Sequence, residues 1–209
     1  MIDLMKIVPS CAGKLNLVIG PKSSGKTALL SMLVLSALSR GQKGVCWMSP
    51  HFQQDRKFLK NALMDDEEKI LNLAMVECQS FDEAYHTIVK DEVSMVVMDD
   101  IRECFGSLET PSSLLAGLLL QKGRTVFLSV LVKDGWGHDR FNYQEMSPTI
   151  MKSPIKSKRL MTLAHNAFVV SMDSDALKIK LVKCRDSLVG KEWAMDKGIL
   201  DDFLKKGLR

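Results

Sequence analysis

A chain of 209 residues is long enough for one domain with a buried core, and a single domain over residues 1–209 is expected. Hydrophobic residues make up 46% and charged residues 26%, the mix of an ordinary soluble globular protein. The net charge of +4 permits nucleic-acid binding without arguing for it. No apolar run reaches the roughly 18 residues that span a bilayer, so no membrane partner is expected. The first ten residues, with Asp3, Lys6 and Pro9, lack the layout of a signal peptide. Cys11, Cys46, Cys78, Cys104 and Cys184 lie far apart with no CxxC pair. They read as reduced thiols and small core hydrophobes, which implies a reducing compartment, cytoplasm or nucleus.

Residues 14–20 (KLNLVIG) form a short apolar run entering a glycine loop and read as a buried strand. Residues 27–39 (TALLSMLVLSALS) are apolar on nearly every side and read as a buried helix. Arg40 and Gly41 close it as a C-terminal cation and a C′ glycine. Residues 44–49 (GVCWMS) give a second strand. Helices are expected over 53–63 and 80–90, the second opening on the capping box Ser80-Phe81-Asp82-Glu83. The acidic run Asp65-Asp66-Glu67-Glu68 reads as a solvated loop. Residues 94–99 (SMVVMD) read as a strand ending in acids. Thr110-Pro111 opens a helix that runs to Lys122, and residues 124–131 (RTVFLSVL) give the next strand.

Strands alternating with helices predict an α/β fold with a mostly parallel sheet flanked by helices. Beyond residue 165 the pattern changes. Residues 168–172, 176–183 and 192–195 read as strands without intervening helices, an antiparallel C-terminal extension of the same sheet. Residues 133–160 are the one long stretch without a clear element.

The most specific signal is Gly20-Pro21-Lys22-Ser23-Ser24-Gly25-Lys26-Thr27, a complete Walker A pattern. Glycines at 20 and 25 let the backbone wrap closely around phosphate with its N–H groups inward. The start of the 27–39 helix adds its positive dipole end. Lys26 is placed to reach the β and γ phosphates of ATP, and the Thr27 hydroxyl to bind Mg²⁺. Residues 96–100 (VVMDD) fit the Walker B pattern, with Asp99 holding Mg²⁺ through water. Asp100 is either a second acid of the site or a solvated strand end.

The order of these motifs resembles the RecA-like P-loop ATPase superfamily: RecA and its archaeal and eukaryotic relatives, and the DnaB-type hexameric helicases. The resemblance covers about residues 10–201, from Walker A through VCWMSP, Walker B and RTVFLSVL to Lys183-Cys184-Arg185 with Gly190. It implies a RecA-like fold, ATP and Mg²⁺ as cofactors, and assembly into homo- or hetero-oligomers of RecA-like subunits. It also implies that Lys183 and Arg185 reach a neighbouring subunit's ATP, against the alternative of two cations on a solvated strand face.

Two departures stand out. Members of the superfamily usually carry a catalytic glutamate just past the second strand, where this chain has Ser49-Pro50-His51-Phe52-Gln53 and no acid before Asp55. They usually carry a polar sensor at the end of the fourth strand, where Ser129 is followed by Val130. Asp100 is the candidate substitute base, with His51 as the other, so ATP binding is expected with slow hydrolysis.

The 133–160 segment lies where RecA-like proteins carry a DNA-facing loop. Lys133, Arg140, Lys152, Lys156, Lys158 and Arg159 outnumber Asp134, Asp139 and Glu145, with Trp136, Phe141 and Tyr143 interleaved. Cations with aromatic rings suit single-stranded DNA, since rings stack on bases and cations meet phosphates. Lys152, Lys156, Lys158 and Arg159 are the candidate DNA contacts, and the segment reads as a long mobile loop; a solvated linker is the alternative. The expectation is an ATP-binding protein acting on DNA as a recombination or replication accessory, without the N-terminal domain of replicative helicases. The alternatives are a minimal oligomeric DNA motor, of helicase or packaging type, and a nucleotide-switched signalling or assembly protein.

Overall fold

Runs that are apolar at every position find partners for both faces only in the middle of a covered sheet. A computed structural model describes residues 11–63, 66–77, 93–100, 123–132, 162–184 and 190–208. Its strands are β1 (Leu15–Gly20), β2 (Val45–Ser49), β3 (Leu73–Glu77), β4 (Met95–Met98), β5 (Thr125–Leu131), β6 (Asn166–Met172), β7 (Ala176–Lys183) and β8 (Glu192–Asp196). They form one sheet in the order β3-β2-β4-β5-β1-β6-β7-β8. The first six of that order run parallel, and β7 and β8 each pair antiparallel to the strand before. β1, β2 and β4 are buried from end to end, whereas β7 alternates buried and partly exposed positions. The protein is therefore α/β, with a mostly parallel sheet flanked by helices and an antiparallel C-terminal part.

The helices are α1 (Lys26–Ser39), α2 (Phe52–Ala62), α3 (Glu67–Leu71) and α4 (Lys197–Leu208). α1 is buried at nine of its fourteen positions, which makes it a core helix rather than an amphipathic surface one. It packs with Val18, Trp47, Val97, Phe127 and Val170 on one face of the sheet, and α2 and α4 extend that layer.

Three elements differ from the sequence reading. The acidic run at 65–68 is not simply a solvated loop. Asp66 caps α3, its side chain accepting from the Lys69 N–H at 3.2 Å, and Glu67 and Glu68 fill the first turn where the dipole favours acids. β3 follows at once as a half-buried edge strand against β2. α4 begins where Asp196 accepts from the N–H groups of Gly198 and Ile199. Its Leu200, Phe203, Leu204 and Gly207 lie at helical spacing, and a side chain at Gly207 would strike the Phe58 ring of α2. The helices expected over 80–90 and from Thr110 to Lys122 lie outside the described residues, as does the 133–160 segment. No helix among the described residues is long and apolar enough to cross a membrane. Cys11, Cys46 and Cys184 remain thiols, the first two buried; Cys78 and Cys104 lie outside the described residues.

The amino ends of the parallel strands are tied by a buried amide. Asn16 Nδ2 donates to the carbonyls of Cys11, Lys14 and Val126 at 3.0–3.2 Å, and its Oδ1 accepts from Asn166 Nδ2 at 2.7 Å. Asn16 thus adds side-chain bonds that join β1 to β5 and β6 at the amino end of their ladders. Asn16→Ala removes these bonds and takes from the Asn166 amide its Asn16 acceptor, although the Cys11 and Lys14 carbonyls still accept from backbone N–H groups. It should lower the unfolding free energy by roughly 2–3 kcal/mol in urea titrations.

Candidate functional site

In a parallel sheet all carboxyl ends lie along one edge, and ligands sit in the crevice outside them. Here β1 runs beside β5 with Gly20 opposite Leu131, and β4 lies between β5 and β2 with Met98 opposite Leu128 and Met48. The segment between β1 and α1, the acids after β4 and the end of β2 are therefore brought to one place.

The 20–27 segment is a tight loop whose shape depends on its small residues. A side chain at Gly20 would lie 2.5 Å from the Val170 carbonyl oxygen of β6. Gly25 has φ +88°, a left-handed conformation, and a side chain there would lie 2.5 Å from Leu177 Cδ1. Ser23 is also left-handed, at φ 59°. Left-handed residues so close in sequence curl the chain into a concave turn of N–H groups, a geometry that attracts anions.

Gly25 caps α1 without any side-chain hydrogen bond, and no acid stands in the first turn. The first N–H groups of a helix have no intrahelical acceptor, so here they face the loop. Ser24 Oγ is buried and has no hydrogen-bond partner among the described residues. A buried hydroxyl left unmatched inside a cradle of donors fits an oxyanion guest better than an empty turn. Lys26 Nζ donates to the carbonyls of Gly20 and Pro21 at 3.0 and 2.7 Å, so its ammonium lies across the loop. Burial pushes the Lys26 ammonium below its ordinary range, opposed by the nearby charges of Asp99 and Asp100.

Asp99 sits just past β4 and is buried. Its Oδ2 accepts from Thr27 Oγ1 at 2.5 Å; its Oδ1 accepts from Ser129 Oγ at 2.6 Å and from the Asp100 N–H at 3.1 Å. The Asp100 N–H also donates to Ser129 Oγ at 2.7 Å, and Asp100 is held left-handed at φ 46°. Thr27 is exposed, and a hydroxyl that donates its proton to Asp99 still offers lone pairs to a hard cation. Among the described residues no cluster of three His, Cys, Asp or Glu could hold a metal by itself. A divalent cation at Thr27 and Asp99 would therefore complete its shell with water or with oxygens of a bound ligand.

The loop opens into a cavity of about 410 Å³. Ser23 to Thr27 make its polar end, Gln54 and Asp55 of α2 one side, and Phe58, Met172, Leu200 and Leu204 an apolar wall. Gly20 to Thr27, Asp99 and Asp100 thus meet at one site, with Thr27 and Asp99 in direct contact. Lys183 does not join them. It ends β7, opposite Ala167 at the amino end of β6, and its Nζ donates to the Thr162 carbonyl at 3.0 Å. That is the sheet edge away from Gly20. Arg185, Lys152, Lys156, Lys158 and Arg159 lie outside the described residues.

Sequence reading passes over the role of Ser129, which fixes Asp99, and the place of Asp55, which reaches the cavity from a helix. Nothing in the spacing marks Ser129, because its partner lies 30 residues away on a neighbouring strand. Asp55 carries a faint signal: an acid in the first turn of a helix that follows a strand. No protein-family model matches the chain, and no curated protein matches it above chance.

Proposed function

We propose that the chain binds ATP with Mg²⁺ in this cavity and acts on single-stranded DNA as a RecA-like accessory ATPase of recombination or replication. The observation that carries ATP is the division of the cavity. One end is the curled loop with its uncapped helix start, the unmatched Ser24 hydroxyl and the Lys26 ammonium. The other end is apolar, with Phe58, Met172, Leu200 and Leu204. A triphosphate meets the first, a purine ring meets the second, and the volume is in the range of small-molecule sites.

Mg²⁺ would be held by the Thr27 hydroxyl and, through water, by Asp99, where it would neutralise charge on the phosphates. Ser129 and the Asp100 N–H keep Asp99 aimed at Thr27. Lys183 lies at the far edge of the sheet, so a role for it in ATP chemistry would be one toward a neighbouring subunit, as the resemblance implies for Arg185 also.

Support for DNA comes from sequence and position together. β5 ends beside the phosphate loop, where the Val132 N–H donates to the Gly20 carbonyl at 3.1 Å. Val132 is the last described residue before the cationic, aromatic 133–160 sequence, so that sequence follows directly in the chain on a residue bonded to the phosphate loop. Alanine at Lys152, Lys156, Lys158 and Arg159 should weaken single-strand binding. The slope of log K against log salt should flatten by about 0.7 for each phosphate that is no longer neutralised. An unchanged slope in fluorescence-anisotropy titrations would return the segment to a linker and favour a nucleotide-switched signalling protein. The function itself is tested by binding of a fluorescent ATP analogue and by ATPase rate with and without single-stranded DNA, with native mass measured in the same buffers.

A further inference from the structure

ATP hydrolysis needs a group that aligns a water with the γ-phosphorus, and the position just past β2 offers no acid: Ser49 is followed by Pro50 and His51. Asp55 stands in the first turn of α2. Side chains of a helix lean toward its amino end, so Asp55 is carried back toward the strand it follows. Its Oδ2 accepts from Trp47 Nε1 of β2 at 3.0 Å, and the Ser49 hydroxyl also hydrogen-bonds it. Trp47 is wholly buried, so this anchor is rigid. Among the described residues that line the cavity with Lys26 and Thr27, Asp55 is the only carboxylate. Asp100 does not line it; its main chain is turned toward Ser129.

We propose that Asp55 is the carboxylate that orients the attacking water and takes its proton. The inference rests on the ATP reading above. The water oxygen bonds to the γ-phosphorus as the bond from that phosphorus to the β–γ bridging oxygen breaks. The bridging oxygen keeps the electron pair and leaves on ADP. One water proton passes to Asp55 and then to solvent, so the products are ADP, hydrogen phosphate and a proton.

The charged groups around Asp55 come from each neighbouring element. Asp99 lies at the end of β4, His51 before α2, and Lys26 across the cavity. Burial, reinforced by Asp99, raises the Asp55 carboxyl above its ordinary range; the hydrogen bonds of Ser49 and Trp47, and His51, work against that rise. A base held somewhat above the ordinary carboxylate range is better matched to its task than an unperturbed one. The same shift means that the fold disfavours the ionised form. The native state gives up stability as pH rises through the raised value, so ionising Asp55 costs the fold rather than supporting it.

That contrast supplies the test. Asp55→Asn keeps an acceptor for Trp47 and removes the base. Single-turnover hydrolysis should fall roughly 100-fold or more, while affinity for a fluorescent ATP analogue and the melting temperature hold or rise. The acidic limb of the pH–rate profile should vanish in Asp55→Asn and persist in Asp100→Asn. Hydrolysis at the parental rate in Asp55→Asn overturns the inference and leaves ATP binding standing. So does an acidic limb that survives in Asp55→Asn and disappears in Asp100→Asn. A melting temperature that collapses together with ATP affinity overturns it as well, because Asp55 would then be structural. Failure of the parent protein to bind the analogue at all overturns the ATP reading and the inference with it.

Discussion

Lys26→Ala should abolish ATP binding and leave the fold intact. Lys26 is the only cation among the described residues that line the cavity, so no other side chain there can take over the β and γ phosphates. Its loss should cost the fold little. The ammonium is partly desolvated, which disfavours its charged form in the native state, and the two carbonyls it meets, Gly20 and Pro21, belong to its own loop. Burial lowers the folded-state value, so the charged amine weighs against folding at neutral pH and that cost fades as pH rises. Removing it should leave the melting temperature near the parent's.

The measurement is thermal melting with and without MgATP. A ligand at about 100 times its Kd stabilises by about 2.7 kcal/mol, which for a domain of this size raises Tm by roughly 5–10 °C. The parent should show that rise and Lys26→Ala should show none. Equal shifts in the two proteins would place ATP elsewhere. An unshifted parent would remove the ATP reading altogether.

What the sequence displays of this site follows from how local each signal is. Gly20 and Gly25 stand out because a loop that wraps phosphate needs small residues at fixed spacing, and the structure gives each a neighbour that leaves no room for a side chain. The buried strands are equally plain, since a run such as VCWMS has no solvated face to hide. Asp99 is legible as the acid at the end of such a run. Its partners are not, because Ser129 reaches it from β5 and Thr27 from α1, 30 and 72 residues away. β3 escapes notice because a five-residue edge strand has no periodicity long enough to read. α4 escapes it for a different reason. Gly198 and Gly207 argue against helix, yet Asp196 supplies the cap and Phe58 packs where Gly207 has no side chain. The apolar wall of the cavity, Leu200 and Leu204 included, depends on that helix, so the pocket's shape is out of the sequence's reach while its phosphate end is not.

The acid at the end of β4 carries the second large effect. Asp99→Asn should weaken Mg²⁺-dependent ATP binding by roughly 100-fold, about 2.7 kcal/mol, and leave binding in EDTA nearly unchanged. Asp99 accepts three hydrogen bonds, one from Thr27 on Oδ2 and two, from Ser129 and the Asp100 N–H, on Oδ1. An asparagine has one acceptor oxygen and one donor NH₂. With the NH₂ in the place of Oδ2, the Thr27 hydroxyl must rotate to accept; with it in the place of Oδ1, Ser129 must rotate and the Asp100 N–H faces a donor. If the amide faces Thr27, the hydroxyl that would meet Mg²⁺ is turned aside. If it faces Ser129, the side chain loses its aim. In either case the full negative charge that would attract the hydrated cation is gone. Lys26 feels the change too. Asp99 raises its value against the effect of burial, so without that charge the Lys26 ammonium gives up its proton more readily. ATP binding by the variant should therefore also fade at a lower pH than in the parent, as the lysine loses its charge. Asp100→Asn, which leaves the three bonds to Asp99 in place, should affect Mg²⁺-dependent binding less. Titrations of a fluorescent ATP analogue in Mg²⁺ and in EDTA separate the possibilities. An equal loss in both conditions would make Asp99 a brace for the phosphate loop rather than part of a metal site, and equal, negligible effects of both substitutions would make the two acids no more than the end of a strand.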